Sequence, residues 1–215
     1  MTSVKVLEPS NSAASGAPTS TQRDASDLTA KICQAFLVCI AGKGLGSTSI
    51  DDVASEAGCA RATIYRVIPG GRTGLLIAAV DHSLGVIVDA CATAVEGSAT
   101  IHEAVARSVR TAASTLSDSA ALQRLLAEEP GAILPFLSFD GLTPVLHRVA
   151  QWSPKLFGRF VTDAQAGDAG EWVARVVLGH LRTPGGPIDL TDLDHCRRLV
   201  DTFFIITPES PHTNL

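Results

Sequence analysis

Apolar residues recur at three- and four-residue spacing through Leu28, Ile32, Ala35, Phe36, Cys39 and Ile40, which describes one face of a helix. Asp24 or Ser26 can cap its start, and Gly42-Lys43-Gly44-Leu45-Gly46 ends it. The next pattern is shorter. Ser49 stands where a side chain accepts an amide hydrogen bond at a helix start, with Asp52 three residues on in the capping-box position. Ile50, Val53, Ala54 and Ala57 form its buried stripe, and Gly58 suits the left-handed turn that closes a helix. A third short helix fits Ala60 to Val67, Pro69-Gly70-Gly71 breaks it, and a fourth runs from about Arg72 into the mid-90s. Ahead of all this, residues 1–22 are rich in Ser, Thr, Ala and Pro without apolar periodicity. Such a segment cannot bury enough surface to offset its ordering entropy, so a flexible arm is expected.

Two short helices joined by a tight glycine turn and braced by a preceding amphipathic helix describe a helix-turn-helix. With Ile64 and Val67 facing the core beside Val53, the spacing turns Arg61, Thr63, Tyr65 and Arg66 outward. Guanidinium groups can bond guanine edges bidentately, and Thr can touch a thymine methyl or a phosphate. Short helices with solvent-facing Arg also occur in proteins that never touch DNA, so pattern alone leaves both readings open.

The stretch from Ser47 to Arg66, followed by Pro69-Gly-Gly-Arg-Thr-Gly-Leu-Leu76, resembles the DNA-binding region of TetR-type (tetracycline-repressor-like) transcriptional regulators over roughly residues 27–80. The resemblance implies an all-α homodimer. It has an N-terminal three-helix DNA-binding module and a larger helical domain that binds a small molecule and dimerises. It implies DNA contacts from Ser49 at the start of the second helix and from Arg61, Thr63, Tyr65 and Arg66 on the recognition helix. Arg72 falls where a Lys commonly meets phosphate. Two departures stand out: Ile68 replaces a frequent aromatic, and the Pro69-Gly70-Gly71 loop is one residue longer. The implied domains are an arm at 1–22, the DNA-binding module at 23–80, the ligand-binding and dimerisation domain at 81–207 and a tail at 208–215.

In the larger half, helices are expected from Ile101 to Leu116, with Val105 and Val109 on its apolar face, and from Ser119 to Glu129. Pro130, Pro135, Pro144 and Pro154 then predict short or broken helices. Phe136, Phe139, Trp152, Phe157 and Phe160 fall in the same interval. With Val105, Val109 and Trp172, Phe136, Phe139, Trp152 and Phe157 are the candidate walls of a mostly apolar cavity. Two final helices are expected at Glu171–Leu181 and Thr191–Ile206, apolar around more than one stripe. That calls for cover on two sides. A two-fold four-helix arrangement would supply it, with Val173, Val177, Leu199 and Phe203 as candidate dimer contacts.

Composition narrows the alternatives. The 215 residues are 46% hydrophobic and 18% charged, and the mean hydropathy of +0.24 is high enough to predict apolar surface used on a partner or ligand. The longest strongly apolar run, Ala35 to Ala41, falls short of the roughly 20 residues a bilayer requires. No signal peptide is recognisable, so a cytoplasmic protein without a membrane partner is expected. Cys33, Cys39, Cys59, Cys91 and Cys196 form no CxxC pair and suit small buried apolar positions. His82, His102, His147, His180, His195 and His212 show no HxxxH or HExxH spacing, so no metal is expected.

Enzymatic motifs are missing as well. Gly42-Lys43-Gly44 lacks the upstream Gly and the following hydroxyl of a phosphate loop, and Ser49 stands where GxGxxG needs its last Gly. There is no GxSxG, and Glu128-Glu129 has no suitably spaced partner. The expectation is no enzyme and no cofactor. Double-stranded DNA and a small hydrophobic effector are the expected partners. One feature argues for a rival. Between residues 24 and 80, five basic residues are matched by five acidic ones, Asp24, Asp27, Asp51, Asp52 and Glu56. That neutral sum is a weak footprint for nucleic acid. It supports a small-molecule-binding helical dimer whose helix-turn-helix no longer reads DNA.

Overall fold

The computed structural model describes residues 20–131, 139–182 and 187–206, with the side chains of 20–23, 139–141 and 181–182 outside the description. Every regular element among the described residues is a helix: α1 Ser20–Lys43, α2 Ile50–Ala57, α3 Arg61–Val67, α4 Gly71–Val95 and α5 Ile101–Ser117, then α6 Ala120–Glu128, α7 Phe139–Trp152, α8 Pro154–Phe157, α9 Asp163–Arg182 and α10 Leu193–Phe203.

Most boundaries follow local chemistry. Thr100 caps α5 by accepting from the Glu103 amide, Ser119 caps α6 from Leu122, and Asp192 caps α10 by accepting from Asp194 and His195. Three differ from the expectation. Helix α1 begins at Ser20, inside the segment expected to be a flexible arm. Helix α9 begins eight residues before Glu171. Thr162 and Gln165 bond each other reciprocally there, Thr162 N to Gln165 Oε1 at 3.2 Å and Gln165 N to Thr162 Oγ1 at 3.4 Å, and the Ala/Gly-rich turn that follows has no large apolar stripe to announce it. Helix α7 runs 14 residues with Pro144 inside it, where broken pieces were expected. Pro144 lies in its second turn, close enough to the start that few backbone bonds are lost.

Two cores organise the chain. The first joins Ile32, Phe36 and Ile40 of α1 to Val53, Ile64 and Leu75, and Ala121 and Leu125 of α6 complete it. The second gathers Cys91 and Val95 of α4, Val105 and Val109 of α5, Phe157, Val173, Val177 and Val200. Helix α4 therefore belongs to both, and a boundary at residue 80 divides it within a continuous run of turns.

Two segments, Asp24–Lys43 and Gly71–Val95, are long and apolar enough to cross a bilayer, with mean hydropathies of 1.3 and 1.7. Unbroken runs hid this, because polar residues interrupt both. In the fold their apolar positions serve the two cores and the walls of a cavity. The five cysteines are free. Burial pushes the thiols of Cys33 and Cys196 up to about 11 and that of Cys91 up to about 12, which fits packing positions rather than reactive ones.

Candidate nucleic-acid interface and ligand cavity

The helix-turn-helix is set by caps at both ends of α2. Ser49 Oγ accepts from the Asp52 amide at 3.2 Å while the Ser49 amide donates to Asp52 Oδ2 at 2.8 Å, the reciprocal arrangement of a capping box. Lys43 adds an ion pair to Asp52. Its ammonium first, and then the Ser49 hydroxyl and amide, hold the Asp52 carboxyl well below the usual carboxylate range. At the other end Gly58 takes φ 61°, ψ 40°, and its amide bonds Ser55 O at 3.2 Å. This left-handed residue turns the chain into α3.

Helix α3 buries Ile64 and leaves Arg61, Tyr65 and Arg66 exposed, with Thr63 half-buried. The outward cluster is not uniformly free. Arg61 Nη1 lies 3.0 Å and 3.3 Å from the Asp51 carboxylate oxygens, and Nη2 bonds the Tyr65 hydroxyl at 3.3 Å. The guanidinium also sits 5.7 Å from the Tyr65 ring centroid. The Tyr65 hydroxyl and then Asp51 raise its already high pKa. Arg66 and Arg72, both exposed, make no hydrogen bond or ion pair among the described residues.

The loop into α4 depends on glycine. Gly70 has φ 94° and Gly71 φ 60°, which other residues rarely adopt. A Cβ on Gly74 would come within 2.0 Å of Pro69 O. The first turn of α4 closes over the loop only because residue 74 has no side chain, and that closure sets where Arg72 stands. Gly85 has nothing within 4 Å of where its Cβ would be, and no contact explains it.

Behind this module lies a cavity of about 530 Å³ walled by α1, α4, α5, α6, α7, α8 and α9. Leu37, Val38, Leu76, Leu84, Ile87, Leu122 and Val145 are among its lining residues. Val38 and Val86 line it and are also solvent-exposed, marking where it opens between α1 and α4. The candidate wall residues divide. Phe157 lines the cavity, whereas Val105 and Val109 are fully buried in the second core and do not. Trp152 is half-buried 5.7 Å from the Arg148 guanidinium and takes no part in the wall. Trp172 meets Phe204 edge-on at 5.2 Å and borders a separate groove with Phe203 and Ile205. Phe136 and the side chain of Phe139 lie outside the described residues.

The candidate dimer contacts also divide. Val173 and Val177 are buried and line the cavity inside the protomer, because their face of α9 turns toward α5. Leu199 is half-buried and Phe203 is 65% exposed. The aliphatic wall has no cluster of aromatic residues in the sequence to mark it. Its sequence signal is a second apolar face on α1 and α4, at Leu37 and Val38 beside Phe36 and at Leu84, Val86 and Ile87.

One further element touches both sites. Arg124 of α6 donates to the terminal carbonyls of α1, Ala41 O at 3.2 Å and Gly42 O at 2.8 Å. Glu129 accepts from the Gly46 amide at 2.8 Å. Helix α6 thus grips the end of α1 while Leu122 and Leu125 line the cavity.

No protein-family model matches this sequence, and no curated protein matches it. Solved structures do. The TetR family repressor AlkX from a Dietzia species, implicated in biodegradation of n-alkanes, is 17% identical with a TM-score of 0.65, covering 80% of this chain and 92% of that one. A TetR-family regulator from Streptomyces coelicolor is 18% identical with a TM-score of 0.50 over 87% of this chain and 98% of that one. The fatty acid degradation regulator FadR from Bacillus halodurans is 18% identical with a TM-score of 0.50, over 80% and 93%. The likeness is one of fold: this chain has the TetR-like architecture, an all-α helix-turn-helix module followed by a larger helical domain.

Proposed function

We propose that the chain is a cytoplasmic, homodimeric transcriptional regulator that binds a palindromic DNA operator and is released from it by a small hydrophobic effector. Two recognition helices, one per protomer, would enter successive major grooves about 34 Å apart. Arg66 and Arg61 are assigned to base edges, Tyr65 and Thr63 to the groove rim, and Ser49 and Arg72 to phosphates. An effector in the cavity would favour a conformer with the wrong spacing. A coupling of ~1–3 kcal/mol between the sites changes occupancy ~5–150-fold.

The observation that carries this reading is the placement of α4. It begins immediately after the recognition helix, with Arg72 on its first turn, and its middle forms one wall of the 530 Å³ cavity. Phe203 and Ile205, 65% and 88% exposed at the end of α10, support a second copy covering that face. The names of two structural relatives refer to n-alkanes and to fatty acid degradation, in keeping with an aliphatic cavity.

The test is a gel shift on DNA flanking the chain's own coding region, with wild type and Arg66→Ala. Wild type should shift the fragment, and the variant should lose specific binding while its dimer mass is unchanged. Equal affinity in the two would remove α3 as the reading head. A second reading is favoured by the hold of Asp51 on Arg61 and the neutral charge sum: a ligand-binding helical dimer without DNA affinity. Effector binding with no shift on any flanking fragment would establish it.

A further inference from the structure

Several hydroxyls of this chain turn back to the carbonyl one turn earlier. Thr29 bonds Ala25 O at 2.8 Å, Thr93 bonds Asp89 O at 3.2 Å, Thr115 bonds Thr111 O at 2.8 Å, Ser153 bonds Val149 O at 2.7 Å and Thr202 bonds Arg198 O at 2.7 Å. Ser108 does not. It is 1% exposed and lines the cavity, and its Oγ, beside the Cys91 thiol, has no nitrogen or oxygen hydrogen-bond partner among the described residues. The neighbouring Cys91 thiol bonds the backbone carbonyl of Ser108, at 3.6 Å. A buried hydroxyl left this way is unfavourable unless something else supplies the bond.

The surroundings restrict what that can be. Ala112, Val173 and Val177 are aliphatic, and Phe157 is the one benzene ring on the wall among the described residues. Among the described residues no Lys or Arg lines the cavity, while His82 and Asp118 do. A carboxylate buried beside Ser108 would therefore lack a permanently charged cationic partner. From Ser108 to Asp118 the wall follows α5 for ten residues, ~15 Å at the helical rise.

We propose that the cavity takes an elongated aliphatic molecule bearing one uncharged oxygen function, a hydroxyl or a carbonyl, that hydrogen-bonds Ser108. A serine hydroxyl both donates and accepts, so either function satisfies it. This assignment rests on the cavity being the effector site.

The test titrates n-decanol, decanoate and n-decane into the full chain and into Ser108→Ala. Wild type should bind n-decanol about five- to tenfold more tightly than Ser108→Ala does, the usual worth of one buried hydrogen bond. Binding of n-decane should be the same in both proteins, and decanoate should bind wild type more weakly than n-decanol. Ligand-free Ser108→Ala should unfold at a temperature no lower than wild type, because the hydroxyl it loses had no nitrogen or oxygen partner. That result separates a head-group contact from damage to the fold. Equal n-decanol affinity in the two proteins, or decanoate binding more tightly than n-decanol, would overturn the head-group assignment and leave the effector cavity standing. Binding of none of the three would overturn both.

Discussion

The guanidinium of Arg61 lies 3.0 Å from the carboxylate of Asp51, so the first residue of α3 is tied to the first turn of the helix before it. Both side chains are exposed, at 55% and 69%, where such a pair contributes little to stability. Under the proposed function, its effect falls on DNA. A phosphate or guanine approaching Arg61 must compete with Asp51, whereas Arg66 and Arg72 are available at once.

Asp51→Asn should therefore raise affinity for any duplex. The slope of log affinity against log salt should steepen by roughly 0.9 if one more phosphate is neutralised. Binding measured across a salt series reads this directly: a steeper slope would move Arg61 from a base edge to a phosphate, and higher affinity at an unchanged slope would keep it on the base edge.

Removing the α2 cap should cost stability at the turn itself. Ser49→Ala deletes the acceptor for the Asp52 amide, and caps of this kind are worth about 1 kcal/mol. Urea unfolding should report a lower midpoint with the same slope.

Acid should weaken the same cap. The folded state holds the Asp52 carboxyl below its ordinary value of 3.8 through Lys43 and Ser49. Its contribution is complete above that value and fades as pH falls toward the lower folded one. Between about pH 5 and about pH 3, wild type should lose more stability than Asp52→Asn, since the variant has no such proton to take up. Parallel losses in denaturant titrations would assign acid sensitivity to other carboxylates.

Gly74→Ala places a methyl group where Pro69 O already stands. Forcing that overlap should cost about 1–3 kcal/mol and move the start of α4. DNA affinity should fall further than the drop in unfolding temperature alone explains, and Gly85→Ala serves as the control because its site is open.

Arg124→Ala should release the grip of α6 on the carbonyls of Ala41 and Gly42. Effector binding should persist while its influence on the gel shift shrinks. A full response in the variant would route the coupling through α4 alone.

What could be read from the sequence was local. The Ser49–Asp52 capping box and the Gly58 turn depend on residues within one or two turns of each other, and both stand as the spacing implied. The outward face of α3 was legible in part: of Ile64 and Val67, expected to face the core, Ile64 is buried and Val67 half-buried, and Arg61, Tyr65 and Arg66 are exposed while Thr63 is half-buried. The cavity was not. Its wall comes from aliphatic positions on seven helices that are distant in sequence, and no single stretch announces them. The Ala/Gly start of α9 stayed hidden for a related reason: Gly170 fits against Ser153 so tightly that a Cβ would overlap it, and close approach of that kind leaves no hydrophobic period to count. The tie between Arg61 and Asp51 needs coordinates, since the two residues belong to different helices.

Ala121 and Leu125 have a practical consequence for anyone dissecting this protein. They floor the first core from a helix well downstream of it in the chain. A truncated head ending within α4 would expose Phe36 and Ile40 to water, and grafting that head onto another receptor would require carrying α6 along as a prosthetic rib.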